Sequence, residues 1–198
     1  MPLAGINIEW LLIIVIGIVG MLVQWRLQSV FTKYSHVRTS NGMTGRDVAE
    51  KMLRDNGIYD VRVTSTPGHL TDHYNPANKT VNLSESVYNS PSIAAAAVAA
   101  HECGHAVQHA RGYAWLEMRS KLVPLISITS RFSTWVIIIG MLTINTFPAL
   151  FWIGILMIAA SALFSIVTLP VEYNASARAL DWLRSTRTLD DSQMEGAT

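Results

Sequence analysis

The sequence predicts a mainly α membrane protein: about three transmembrane helices carrying a cytoplasmic α+β domain with a small antiparallel sheet. Three observations lead there. Half of the 198 residues are apolar and only 15% are charged, against roughly 25% charged in soluble domains. Long apolar runs lie near both ends of the chain, at Trp10–Val23 and Ala149–Leu169. Between them an alanine-rich stretch, Ser90–Arg111, reads as a buried helix and carries His101-Glu102-Cys103-Gly104-His105. The net charge of +1 gives no reason to expect nucleic acid or a polyacidic partner. Cys103 is the only cysteine, which excludes an intramolecular disulfide.

The first element expected is a retained anchor over residues 6–26. Trp10–Val23, extended by Ile6 and Ile8, reaches the ~20 residues needed to cross a bilayer. The nine residues ahead of Trp10 lack Lys and Arg, and Gln24-Trp25-Arg26 follows the run, so it does not resemble a cleaved signal. Residues 27–121 form a water-facing region. There Thr44–Arg54 reads as a capped amphipathic helix with Val48, Ala49, Met52 and Leu53 on one face. Asp60–Thr64 and Lys79–Leu83 alternate as strands of one antiparallel sheet, with Pro67-Gly68 turning between them. His69–Pro76 reads as a structured turn, and Ser84–Tyr88 as a short helix. The motif helix is expected over about 91–110, capped by Ser90 with Pro91 in its first turn. Residues 122–169 form a transmembrane hairpin turning at Asn145–Pro148, and 170–198 a further helix with a polar tail.

On a helix, residues i and i+4 share a face, so His101 and His105 can point at one metal ion. Glu102 sits where its carboxylate reaches a water on that ion and takes its proton. Cys103 lies about 200° round the helix from His101 and is expected to pack on the back as a small apolar residue. A third ligand is needed. His109 is about 12 Å along the axis from His101, too far to share the ion. The H-E-x-x-H-x-x-G-x-x-H arrangement fails because Arg111 stands in place of its last histidine. Glu172 returns to the correct side after the last span; its residues alone leave open whether it binds metal or pairs with a local cation such as Arg178. His36 and His69 receive no role.

Several motifs in fixed order resemble the neutral zinc metallopeptidases of the YugP type, bacterial membrane proteins with a gluzincin-like site. They are Lys33-Tyr34-Ser35, Gly42–Gly45, Pro67–Pro76, Val81–Ser84, Ala99–Gln108 and Glu172–Ser176. The resemblance implies a zincin-like domain in which His101, His105 and Glu172 bind one Zn2+ and Glu102 is catalytic base and acid. Many gluzincins carry E-x-x-A-D at the third ligand, the Asp orienting a metal-bound histidine. Here Ser176 holds that position, so Ser176 or Asn174 is expected to take over the role. Members of the family usually run on to a further C-terminal hydrophobic segment, whereas this sequence ends in a polar stretch, as expected of a short member or of a partial sequence.

The expected reaction is peptide hydrolysis in an integral membrane protein of the bacterial inner membrane. His73, Tyr74 and Arg178 are candidates for transition-state or substrate contacts, and Thr80–Leu83 for the edge to which an extended substrate adds. Of 15 Lys and Arg, 11 fall in Arg26–Lys121 and three after Pro170, with Arg131 between. That bias places the metal domain in the cytoplasm. Expected partners are a polypeptide substrate, membrane proteins among them, and the lipid bilayer. The competing readings are a non-catalytic, metal-stabilised membrane scaffold or adaptor, which has no need of Glu102, and an intramembrane site.

Overall fold

The computed structural model describes residues 8–198, with side chains from Leu11 onward; Ile6, where the expected anchor starts, lies outside the described residues. Helix α1 (Ile8–Ser35) continues well past the expected anchor. Then come α2 (Gly45–Asp55), strands β1 (Arg62–Thr66), β2 (His73–Asn75) and β3 (Thr80–Ser84), and α3 (Glu85–Tyr88). Helix α4 (Ile93–Ala110) carries the paired histidines. It is followed by α5 (Ala114–Leu142), α6 (Pro148–Ser185) and a short α7 (Asp191–Met194). Among the described residues three helices, α1, α5 and α6, are long and apolar enough to cross a membrane.

Around α4 the core is dense. Val48, Ala49, Met52 and Leu53 of α2 pack against its alanine-rich back together with Val81, Leu83 and Val87. Small side chains there let the two helices approach closely. Thr44 caps α2 in a full capping box with Asp47. Ser92, not Ser90, caps α4: its Oγ accepts from Ala95 N (3.2 Å), while Ser90 donates to Ser92 Oγ (3.0 Å). Pro91 therefore precedes the helix.

The sheet corrects the expected antiparallel pairing. Its order is β1-β3-β2, and β1 runs parallel to β3 with Arg62 opposite Thr80. The antiparallel partner of β3 is β2, inside the stretch read as a turn. Three residues are too few to show an alternating pattern. Because β3 is central, with both edges paired, it cannot serve as the expected substrate-binding edge; the free edges are β1 and β2.

Two prolines fail to break helices. Pro124 lies inside α5 and Pro170 inside α6. Each removes one backbone bond, which a helix held by its neighbours can tolerate. The segment from residue 170 is thus a direct continuation of the last span. Helices α5 and α6 pack as a hairpin through glycines: a Cβ on Gly140 would meet the Phe151 backbone at 2.6 Å, and one on Gly154 would meet Ile137. Ser130 and Ser161 bond across the pair (2.9 Å). The polar tail also differs from expectation, since Thr188, Leu189 and Met194 are buried. It folds back on the start of the domain, where Asn41 Nδ2 donates to Thr188 O (3.0 Å) and Gln193 Nε2 to Arg38 O (3.0 Å).

Candidate metal centre

Helix α4 presents three faces, each spoken for. At 100° per residue, His101, Gly104, His105 and Gln108 share one face. Glu102, Ala106 and His109 share a second, and Cys103 with Val107 a third. The first face meets α6. A Cβ at Gly104 would lie 2.6 Å from the Ala175 carbonyl oxygen, so the crossing needs a residue without one. That close approach sets Glu172 against both histidines. Its Oε2 lies 3.2 Å from His101 Nε2 and 3.5 Å from His105 Nε2. One ligand atom from each of the three residues falls within 4.8 Å of the others.

Each imidazole is held at its far nitrogen. His101 Nδ1 lies 3.1 Å from Ser176 Oγ, and His105 Nδ1 donates to Gln108 Oε1 (3.0 Å). Gln108 is fully buried, and its Nε2 donates to Val171 O (2.8 Å) and Asn174 Oδ1 (3.0 Å). A backbone carbonyl only accepts, so the amide's orientation follows, and Oε1 must face the histidine. A neutral ring whose Nδ1–H is engaged leaves the Nε2 lone pair free, and here both Nε2 atoms face Glu172. Two imidazoles and a carboxylate with such supports are a donor set that suits zinc. Burial lowers the pKa of His101, but the bond to Glu172 and the charges of Glu102 and Glu172 outweigh it and raise the ring above its usual value.

The second face meets β2. Tyr74 N–H donates to Glu102 Oε2 (3.0 Å), so a strand backbone fixes that carboxylate. Burial pushes Glu102 above the usual carboxylate range, partly offset by the nearby His105 and His101 charges. The Tyr74 hydroxyl bonds His109 Nδ1 (2.6 Å), and burial lifts its phenol to about 12. On the third face Cys103 is fully buried with Sγ 3.6 Å from Ala49 O, and burial drives its thiol pKa up.

The structure thus brings together His101, Glu102, His105, Glu172 and Ser176, with Asn174 linked to them through Gln108. Asn174 Oδ1 also accepts from Arg178 Nε (2.8 Å), so Arg178 reaches the cluster only through Asn174. His73 is exposed, and its ring is bonded to Thr71 O (2.7 Å). Tyr74 contributes its backbone amide to Glu102 while its side chain turns to His109. The charged partner of Glu172 is Arg119, whose Nη2 lies 3.2 Å from Oε1. Gln108 and Arg119 received no role from the sequence. Gln108 did carry a signal, a polar residue three positions after His105 in an apolar helix. Arg119 carried none, because its contact with Glu172 joins two helices, α5 and α6, far apart in the sequence.

Comparison with known proteins agrees with this chemistry. The family described as "Putative neutral zinc metallopeptidase" matches residues 9–198. The "Putative membrane protease YugP" of Bacillus subtilis (strain 168) is 41% identical over 175 residues, covering 87% of this chain and 76% of that protein. No solved structure matches the chain.

Proposed function

The chain belongs to the neutral zinc metallopeptidase family, and from that premise and the site geometry we propose that it is a membrane-embedded zinc-dependent peptidase. His101, His105 and Glu172 hold the ion, and Glu102 serves as general base and acid. The observation carrying this reading is the convergence of the three ligand atoms within 4.8 Å, beside a carboxylate that binds none of them.

When bound, zinc would supply a Lewis acid that polarises a peptide carbonyl and acidifies a coordinated water. The protein's own groups do the rest. Glu102, aimed by the Tyr74 amide, accepts the proton of the attacking water and passes it to the departing amine. Ser176 and Gln108 keep the two rings from turning. Strand β2 is the free edge beside Glu102, and an extended substrate would align along it.

The substrate is a polypeptide, membrane proteins among them, because α5 and α6 run directly from the site into apolar spans. The Lys and Arg bias puts the zinc domain on the cytoplasmic side of a bacterial inner membrane. Arg26, Arg119, Lys121 and Arg178 all flank span ends on that side.

The deciding experiment pairs metal analysis by emission spectroscopy with casein proteolysis for the wild type and Glu102→Gln. One zinc per chain in both, with proteolysis lost only in the variant, is the expected result. Equal proteolysis in both removes Glu102 from the mechanism.

A further inference from the structure

Arg119 stands in the second turn of α5, just ahead of the apolar hairpin. A cation there ordinarily holds its stem against apolar surface and sends its head to water or lipid headgroups. Lys121, two residues on, is exposed in that way. Arg119 differs. Its side chain is 31% exposed, and Nη2 turns inward to Glu172 Oε1 at 3.2 Å. Its Nε is buried with no acceptor among the described residues. A buried donor without a partner is unfavourable and rare. An arginine placed only to anchor the helix would have no reason to accept it.

The other contacts of Glu172 give the reason. Oε2 faces the two histidine Nε2 atoms, and Oε1 faces Arg119. The histidines and the guanidinium therefore divide the carboxylate between them, one oxygen each way.

We propose that Arg119 is a positioning residue for the metal centre, engaging Oε1 so that Oε2 alone is offered to the ion. This rests on the assignment of His101, His105 and Glu172 as ligands. A carboxylate free to turn could use both oxygens and fill the position that a water needs. Arg119 prevents that, and it ties the metal centre to the first turns of the hairpin. Arginine suits the task because its fixed planar fork directs one donor, which the ammonium of lysine does less well.

The test uses the full chain, purified in detergent, with zinc affinity measured by chelator competition. Arg119→Ala is expected to bind zinc about 10- to 100-fold more weakly, with Arg119→Lys in between and the metal-free melting temperature unchanged. Loaded with Co2+, the wild type should show intense four-coordinate visible bands. Arg119→Ala should show the weaker bands of higher coordination, a change that a merely structural residue would not produce. In a Glu172→Ala background, Arg119→Ala should have no further effect on affinity. Wild-type affinity and an unchanged Co2+ spectrum in Arg119→Ala would overturn the proposal, as would an equal further loss in the Glu172→Ala background. Should Arg119→Ala not fold, Arg119→Gln answers the same question by the same readouts. A different failure marks the underlying assignment: Glu172→Ala binding zinc as tightly as the wild type sinks the ligand set itself, whatever Arg119 does.

Discussion

The two working flanks of α4 are built from different parts of the molecule. The flank holding His101 and His105 is completed by α6 and α5, the long apolar helices of the hairpin. The flank holding Glu102 is completed by β2, a three-residue strand of the three-stranded sheet. On the first, the groups that hold the two rings and the carboxylate are side chains: Ser176, Gln108, Glu172 and Arg119. On the second, a backbone amide fixes the carboxylate. The contrast teaches that the proposed metal ligands and the proposed base are positioned by separate parts, so each flank can be damaged while the other survives.

The largest effect should separate the two outright. Glu172→Ala removes a proposed ligand and should weaken zinc binding until the purified protein holds less than one ion per chain, with proteolysis lost alongside, read by metal analysis and peptide cleavage. On the other flank, Glu102→Gln should keep the zinc and lose about 10²- to 10⁴-fold in rate. Loss of zinc in both variants would mean that the flanks are not independent.

Next comes the crossing that creates the first flank. Gly104→Val puts a branched side chain where even a Cβ falls 2.6 Å from the Ala175 oxygen. Such overpacking destabilises by about 1–3 kcal/mol, and separating α4 from α6 should also release zinc. Thermal melts and metal content on one preparation test both halves. A Gly104→Val protein that melts like the wild type and holds zinc would show that the helices can part without harm to the site.

The supports of the two rings should rank below that. Gln108→Leu frees the His105 ring and leaves its buried Nδ1–H without an acceptor, which costs about 1–3 kcal/mol. Zinc should bind roughly 10- to 100-fold more weakly. Ser176→Ala should do less, because the His101 side chain is 27% exposed against 7% for His105, so water can replace the hydroxyl. Ser176→Asp should tighten binding by giving His101 a charged acceptor. An effect of Ser176→Ala larger than that of Gln108→Leu would reverse this ranking.

How far the sequence revealed each flank follows from how local its parts are. His101, Glu102 and His105 lie within five residues of one helix, where the 3.6-residue period alone fixes their faces. Glu172 was placed by a resemblance carried in Glu172–Ser176; its local residues left Arg178 as an equal partner, and the structure gives that part to Arg119 instead. Strand β2 could not be read, since His73–Asn75 is too short for alternation and its role lies in the amide of Tyr74, which any residue but proline supplies. The same limit applies to sheet direction. The alternation in Asp60–Thr64 and Lys79–Leu83 announces strands but not their relative sense, which was settled by β2 pairing along the other edge of β3.

The smallest effect concerns Tyr74, whose side chain and backbone belong to different networks. Tyr74→Phe keeps the amide that holds Glu102 and deletes only the hydroxyl bonded to His109. Zinc content should be unchanged and stability lower by about 1 kcal/mol. The variant should also differ in alkali. The phenol titrates at 10.0 in the unfolded chain and at about 12 when folded, so the folded state resists ionisation that the unfolded state accepts. The stability tied to the protonated phenol is whole below pH 10 and drains away as pH rises through about 12. Tyr74→Phe has no such group, so its stability should fall less steeply across that window than the wild type's. A parallel fall in both proteins would mean that the hydroxyl is not buried against His109. Loss of zinc in the variant would mean that the sheet flank reaches the ligands after all.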